Sequence, residues 1–169
     1  DMSYEIPDTS SEKPETRNPK LGTKIIGITG GIGSGKSTVS KFIEELGFPV
    51  YDSDFWAKEL VNIDENLKSR IIELLGEESY DENGKYNRKF VAEKVFDHQE
   101  LLLKLNQIIH PAVKIHFENW VNAQNAEFVF KETALLFDLK LNESFYQSIL
   151  FTADENIRIK RVMDRDLRT

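Results

Sequence analysis

The residues of this chain with the most recognisable chemistry lie in one glycine-rich stretch. From Gly30 to Ser37 the sequence matches G-x-x-x-x-G-K-[ST] at every fixed position. Glycines allow positive φ and bring backbone N–H groups close around a phosphate. Lys36 can reach the β- and γ-phosphates of a nucleotide, and the Ser37 hydroxyl can ligate Mg²⁺. We therefore predict a nucleotide-binding P-loop, with contacts from Gly31, Ile32, Gly33, Ser34, Gly35, Lys36, Ser37 and Thr38.

Two aspartates follow the next apolar run of the chain. Residues 48–51 are typical of a short strand, which places Asp52 and Asp54 at its C-terminal end. Open α/β sheets bind their ligands at that end of the strands. An aspartate there can orient or deprotonate an attacking hydroxyl, or hold Mg²⁺ through water. The alternative is a solvated turn in which Asp54 caps a helix over residues 55–61.

The last part of the chain is rich in arginine and predicts a polar helix from Asp154 onwards. Arg161 and Arg165 are four residues apart, so they share a helix face and can both point at one polyphosphate. The alternative is a solvated face with ion pairs to neighbouring aspartates. We favour the phosphate clamp, since the chain as a whole is acidic.

A strand and a helix must hold the loop in place. Residues 24–29 form an apolar, β-branched run that is typical of a buried parallel strand. After the loop, four apolar residues recur with helical spacing, at Val39, Phe42, Ile43 and Leu46, and Gly47 follows as a C-terminal cap. The expected fold is therefore an α/β P-loop NTPase fold, a parallel sheet flanked by helices.

The rest of the chain divides by composition into helical and strand-rich parts. Pro111 is expected to open a new helix, and strands are expected over residues 127–130 and 148–152, with a further apolar run over residues 134–138. The predicted division is a disordered tail (1–23), a first core part (24–63), a helical insertion (64–126) and a core continuation that begins a lid (127–169).

Composition limits the classes of function. A chain of 169 residues with 40% hydrophobic and 30% charged residues is typical of one globular domain. Its net charge of −7 gives no support to binding of nucleic acid or anionic membranes. The chain has no cysteine, which excludes disulfides and suits a reducing cytoplasm. No membrane span or signal peptide is predicted. The spacing of His98, His110 and His116 does not predict a metal site.

Taken together and in order, several motifs of this chain resemble the dephospho-CoA kinase family. The P-loop is followed by Asp52-Ser-Asp54 with Ala57-Lys58, and the resemblance covers nearly everything after residue 23. Its further motifs are Asn87-Arg88, His110-Pro-Ala-Val113, Leu135-Leu-Phe137 and Arg161-Val-Met-Asp-Arg165-Asp166.

The resemblance implies ATP-dependent phosphorylation of the ribose 3′-hydroxyl of dephospho-CoA, the last step of coenzyme A biosynthesis. It also implies that the helical insertion binds the acceptor and that a lid closes over ATP. Asp54 resembles the general base, with Asp52 as alternative or partner, and Lys36 matches the phosphate-binding lysine. Other residues matching family positions are Lys58, Arg88 and His110 near the acceptor, and Arg161 and Arg165 in the lid.

The chain also departs from the family. Lys58 stands where the family often has arginine, and Arg158 where it usually has glutamine. The family continues beyond the position of Thr169, which predicts a C-terminally incomplete copy. Another P-loop nucleoside or metabolite kinase, or a nucleotide-binding fragment without catalysis, stays open as an alternative, as does the oligomeric state. A GTPase is excluded by the lack of Asn-Lys-x-Asp after a strand.

Overall fold

The computed structural model describes residues 22–134 and 145–166. Its centre is a parallel sheet of four strands. They are β1 (Lys24–Gly30), β2 (Val50–Asp52), β3 (Phe128–Glu132) and β4 (Gln147–Phe151), in the spatial order β2-β3-β1-β4. Because β1 pairs with a strand on each side, its apolar run is almost fully buried.

Six α-helices accompany the sheet in the described part of the chain. They are α1 (Lys36–Glu45), α2 (Ser53–Ile63), α3 (Glu65–Leu75), α4 (Arg88–Phe96), α5 (Gln99–Ala123) and α6 (Glu155–Asp166). A short 3-10 helix, Glu77–Ser79, precedes a turn at Gly84, which has φ +72°. The predicted α/β class, a parallel sheet flanked by helices, is confirmed.

Helices α2 to α5 form a block with its own apolar core, and Tyr51 joins this block to the sheet. The Tyr51 ring is fully buried and packs edge-on against Phe117 and Trp120 of α5. Its hydroxyl lies 2.9 Å from Nδ1 of His116 and 3.4 Å from the carbonyl oxygen of Val113. Strand β2 is therefore anchored to α5 immediately before its acidic end.

The expectation that Pro111 opens a new helix is wrong. Helix α5 runs without interruption through Pro111, and four buried residues keep one stripe along it, namely Leu105, Val113, Phe117 and Val121. Proline removes one backbone hydrogen bond, which costs about 3 kcal/mol in a helix interior. Burial of four large side chains, at about 1.5–3 kcal/mol each, outweighs that cost.

The apolar periodicity of α1 predicted a helix correctly but did not predict its burial. Phe42 and Leu46 are 58% and 60% exposed, and Ser40 is the buried residue of this helix. Gly47 has φ +90° and follows the helix end, as predicted. The ends of all four predicted strands shift by one or two residues, because ladder pairing decides where each strand begins and ends.

Two sequence predictions lie largely outside the described residues, the tail over residues 1–23 and the apolar run over 134–138. In the part of the chain that the structure covers, no helix combines the length and hydropathy needed to cross a membrane.

Lys131 is a buried cation in the core beneath α5. It is 7% exposed, and its Nζ lies 4.1 Å from the centroid of the Phe117 ring. Burial lowers its pKa from 10.5 to about 8, against an opposing effect of Glu118 and with a smaller contribution from Lys114. The charged form is therefore less stable in the folded chain than in water. Below pH 8 the folded state carries this cost in full.

We predict that Lys131→Met raises the free energy of unfolding at pH 7 by about 1–3 kcal/mol, because an apolar side chain of similar length replaces a buried ammonium. In the parental chain this cost disappears between pH 8 and 10.5, as the folded lysine loses its proton. The Lys131→Met variant should lack the corresponding rise in the free energy of unfolding. Denaturant unfolding at pH 7 and pH 10 measures both effects.

Lys89→Met, at an exposed position of α4, is the control, and we expect it to change stability little. A Lys131→Met chain that is less stable than the parental one would show that the cation–π contact with Phe117 outweighs desolvation.

Candidate active site at the carboxyl ends of the strands

The glycine loop lies where β1 ends and α1 begins. Gly33 and Gly35 have φ +76° and +94°, a left-handed conformation that side-chain-bearing residues rarely adopt. Gly35 is the N-cap of α1, so the backbone N–H groups of the first helical turn point towards the loop. The loop is closed by a bond from the Ser34 N–H to the Gly31 carbonyl, 3.1 Å long. This arrangement can hold a phosphate group.

Glu132, the last residue of β3, connects the two reactive side chains that follow the loop. It is 4% exposed, and its Oε1 lies 3.3 Å from Nζ of Lys36. The Ser37 hydroxyl donates a hydrogen bond to the same oxygen, at 3.0 Å. The loop lysine, the loop serine and a carboxylate from the neighbouring strand therefore form one cluster.

Our sequence reasoning did not single out Glu132. The signal was present, because Glu132 follows the apolar run of a parallel strand, as Asp52 does. What the sequence does not reveal is that β3 lies next to β1, with Ile28 opposite Glu132. That pairing carries the Glu132 carboxylate to the loop.

Asp52 and Asp54 take different positions. The Asp52 carboxylate accepts a hydrogen bond from the Phe55 N–H, at 2.9 Å, and is the N-cap of α2. The capping alternative therefore applies to Asp52, and the assignment of a cap to Asp54 is wrong. Asp54 lies in the first turn of α2, where its side chain remains open to solvent on one side.

The pKa of Asp54 is raised above its ordinary value, mainly by burial of its carboxyl among surrounding protein atoms. Lys36 and Lys58 lower this pKa, while Asp52 and Glu132 raise it by charge repulsion. These influences place Asp54 in the same electrostatic neighbourhood as the loop lysine. Of the predicted site residues, Lys36 and Ser37 thus contact Glu132 directly, and Asp54 lies within electrostatic range of Lys36, Lys58 and Glu132.

The two remaining acceptor candidates lie on the helical block. Arg88 is exposed at the first position of α4, and His110 is half-buried in α5, where burial lowers its pKa. Within the described residues, no hydrogen bond or ion pair joins either side chain to the loop. No group of three His, Cys, Asp or Glu side chains there could hold a metal by itself.

Helix α6 lies against the glycine loop. Nη1 of Arg161 donates a hydrogen bond to the Gly33 carbonyl, at 2.9 Å. Arg158 is the second arginine beside the loop, with Nη1 3.2 Å from the position of a Cβ built on Gly31. Arg165, which we expected to pair with Arg161, is exposed one turn further along the helix.

Comparison with known proteins shows which family this chain is similar to. A family model described as dephospho-CoA kinase matches residues 24–169. A dephospho-CoA kinase of Staphylococcus epidermidis is 37% identical over 146 residues, covering 85% of this chain and 72% of the relative. One from Fusobacterium nucleatum is 37% identical over 142 residues, covering 84% and 73%.

Solved structures share the fold of this chain. A Thermus thermophilus protein shares 34% identity with a TM-score of 0.74, and the match covers 85% of this chain and 72% of that protein. A dephospho-CoA kinase from Campylobacter jejuni shares the fold, with a TM-score of 0.57 at 16% identity over 86% of this chain and 97% of that one. With the loop, the strand-end acids and these similarities in agreement, the chain belongs to the dephospho-CoA kinase family.

Proposed function

We propose that this protein transfers the γ-phosphoryl group of ATP to the ribose 3′-hydroxyl of dephospho-CoA, giving CoA and ADP. The observation that carries the proposal is the cluster of Lys36, Ser37, Asp54 and Glu132 beside the glycine loop. The 3′-oxygen would attack the γ-phosphorus while the bond from that phosphorus to the β,γ-bridging oxygen breaks. Such in-line transfer depends mainly on positioning and on neutralising charge.

Asp54 is the general base in this proposal. It has to accept the proton of the attacking hydroxyl, and a carboxyl with a raised pKa is a better acceptor than an ordinary aspartate. Asp52 is less suited to this task, because its carboxylate already accepts the Phe55 N–H of its own helix. The loop amides and Lys36 would hold the phosphates of ATP.

Mg²⁺ would be held by the Ser37 hydroxyl together with Glu132. Mg²⁺ in kinases is bound by one or two protein oxygens while phosphates and water complete its shell. A serine hydroxyl and a buried carboxylate oxygen 3.0 Å apart fit that donor set. The ion would supply positive charge that offsets the negative charge of the ATP phosphates.

The acceptor would lie between the loop and the helical insertion (64–126). Lys58 stands on α2 close enough to Asp54 to affect its pKa, and Arg88 and His110 lie on the insertion. We infer that these three side chains contact dephospho-CoA. Arg161 and Arg165 would act from the lid on ATP. A cytoplasmic location stays a prediction.

The first test measures ADP release with ATP and Mg²⁺, comparing dephospho-CoA, AMP and no acceptor. We expect release with dephospho-CoA alone, accompanied by an equal amount of CoA. Equal release with AMP would contradict the acceptor and favour another P-loop kinase.

We predict that Asp54→Asn lowers kcat by about 10²–10⁴-fold while ATP binding changes little, since the variant loses only the proton acceptor. In the parental enzyme kcat/KM should rise with pH as Asp54 loses its proton. That rise should lie above the ordinary range of an aspartate, because the pKa of Asp54 is raised. Steady-state rates from pH 4 to pH 9 measure both effects.

Two variants control this prediction. Glu59→Gln, on the same helix, should keep the parental pH profile. Asp52→Asn retains a good N-cap and should be mild. A severe Asp52→Asn together with a mild Asp54→Asn would reverse the assignment of the base.

We predict that Glu132→Gln raises the Mg²⁺ concentration for half-maximal activity about tenfold or more, because the amide can still accept from Ser37 but carries no charge. Activity measured across a Mg²⁺ series at saturating ATP tests this. Glu127→Gln, at the exposed start of the same chain segment, is the control. A lower kcat with an unchanged Mg²⁺ dependence would contradict the metal-binding role and show that Glu132 only orients Lys36.

A further inference from the structure

We propose that Arg158 is a further nucleotide-binding residue, which together with Arg161 forms a guanidinium pair for the phosphates of ATP. The proposal rests on the proposed function and adds a residue that the family resemblance does not supply, since the family usually has glutamine at this position. Arg158 is thus added to Arg161 and Arg165, the two lid arginines that we already propose to act on ATP.

The first observation is how closely α6 approaches the loop. A Cβ built on Gly33 would lie only 2.8 Å from the backbone carbonyl oxygen of Arg158 and 3.0 Å from its Cα. The first turns of α6 therefore lie directly on the loop, and no side chain fits between them. A side chain on this turn of α6 that points towards Gly31 therefore reaches the backbone of the glycine loop.

The second observation is how the Arg158 side chain is held. Its Nε donates a hydrogen bond to the Ala153 carbonyl, at 3.1 Å, which fixes the plane of the guanidinium. Nη1 then lies 3.2 Å from a Cβ position on Gly31. An arginine fixed at Nε keeps both Nη groups as donors in a rigid fork, and this fork matches phosphate oxygens.

The third observation is charge. Among the described residues, no carboxylate lies within 4 Å of a guanidinium nitrogen of Arg158 or Arg161, whereas Lys36 already has Glu132 as a partner. The two arginines thus bring two positive charges to the loop of a chain whose net charge is −7. In the described part of the chain their side chains donate to the backbone carbonyls of Ala153 and Gly33, which carry no net charge, whereas a polyphosphate would neutralise them.

Arg158 is also accessible to a ligand. It lines an open groove of about 360 Å³ between the loop and α6, together with Ile32, Glu155, Ile159, Val162 and Met163. A purely structural role for Arg158, in which it only ties the start of α6 to Ala153, would not depend on how many phosphates a ligand carries. A dependence of binding on the number of phosphates therefore distinguishes a nucleotide-binding role of Arg158 from a structural one.

The test measures binding of ATP, ADP and AMP by titration calorimetry to the parental chain, Arg158→Gln, Arg158→Lys and Lys41→Gln. Arg158→Gln should weaken ATP binding roughly tenfold or more, the size expected for a lost hydrogen bond to a charged group, and should change AMP binding less than about twofold. Arg158→Lys should restore part of the ATP affinity. Lys41→Gln removes one exposed positive charge from α1 and should change neither.

The outcomes separate this proposal from the proposed function. An Arg158→Gln chain with the parental ratio of ATP to AMP affinity overturns the role of Arg158, even if dephospho-CoA is phosphorylated normally. Selective loss of ATP affinity supports Arg158, even if no acceptor-dependent turnover occurs. Equal loss of ATP and AMP affinity, with a lowered melting temperature, would assign Arg158 a structural role and overturn the proposal. A parental chain that binds no ATP contradicts both.

Discussion

The ion pair between Glu132 and Lys36 is the interaction on which the site depends. A buried carboxylate is costly unless a cation and hydrogen-bond donors accompany it, and Glu132 obtains both from consecutive residues of the loop helix. Because the carboxylate belongs to β3, the pair fixes the loop against the neighbouring strand. The loop lysine is therefore already positioned before any phosphate arrives, which reduces the ordering cost of binding.

Parallel pairing explains why acidic side chains collect at this edge. Asp52 of β2 stands opposite Glu132 of β3, and β3 in turn pairs with β1, which leads into the loop. All strands run in one direction, so their last residues meet at the same edge. Burial is the main cause of the raised pKa of nearby Asp54; the like charges of Asp52 and Glu132 add to it, while Lys36 and Lys58 oppose it. The acidity of the proposed base thus depends on strands that are distant in sequence.

Two helical parts contact this edge of the sheet. The helical block is connected to β2 through the buried Tyr51 and its contacts with His116 and Phe117, one residue before Asp52. Helix α6 touches the loop itself through Arg158 and Arg161. Acceptor-side and nucleotide-side elements therefore each contact a strand end or loop of the same small cluster.

The sequence by itself determined the features that depend on neighbouring residues. The spacing of Gly30 to Ser37, the run before it and the helix after it predicted the P-loop, and the ordered motifs predicted the family. Helix α1 was predicted from its period alone, although the same period did not show that Phe42 and Leu46 are exposed.

Only the tertiary structure decided which distant residues meet. It brought Glu132 to Lys36, and it set Arg158 beside Arg161 on the loop. It also kept α5 continuous through Pro111, because burial of a whole helix face outweighs the local preference of one residue. Local rules act along the chain, whereas strand order and helix packing act between segments far apart in sequence, and it is those contacts that assemble the site.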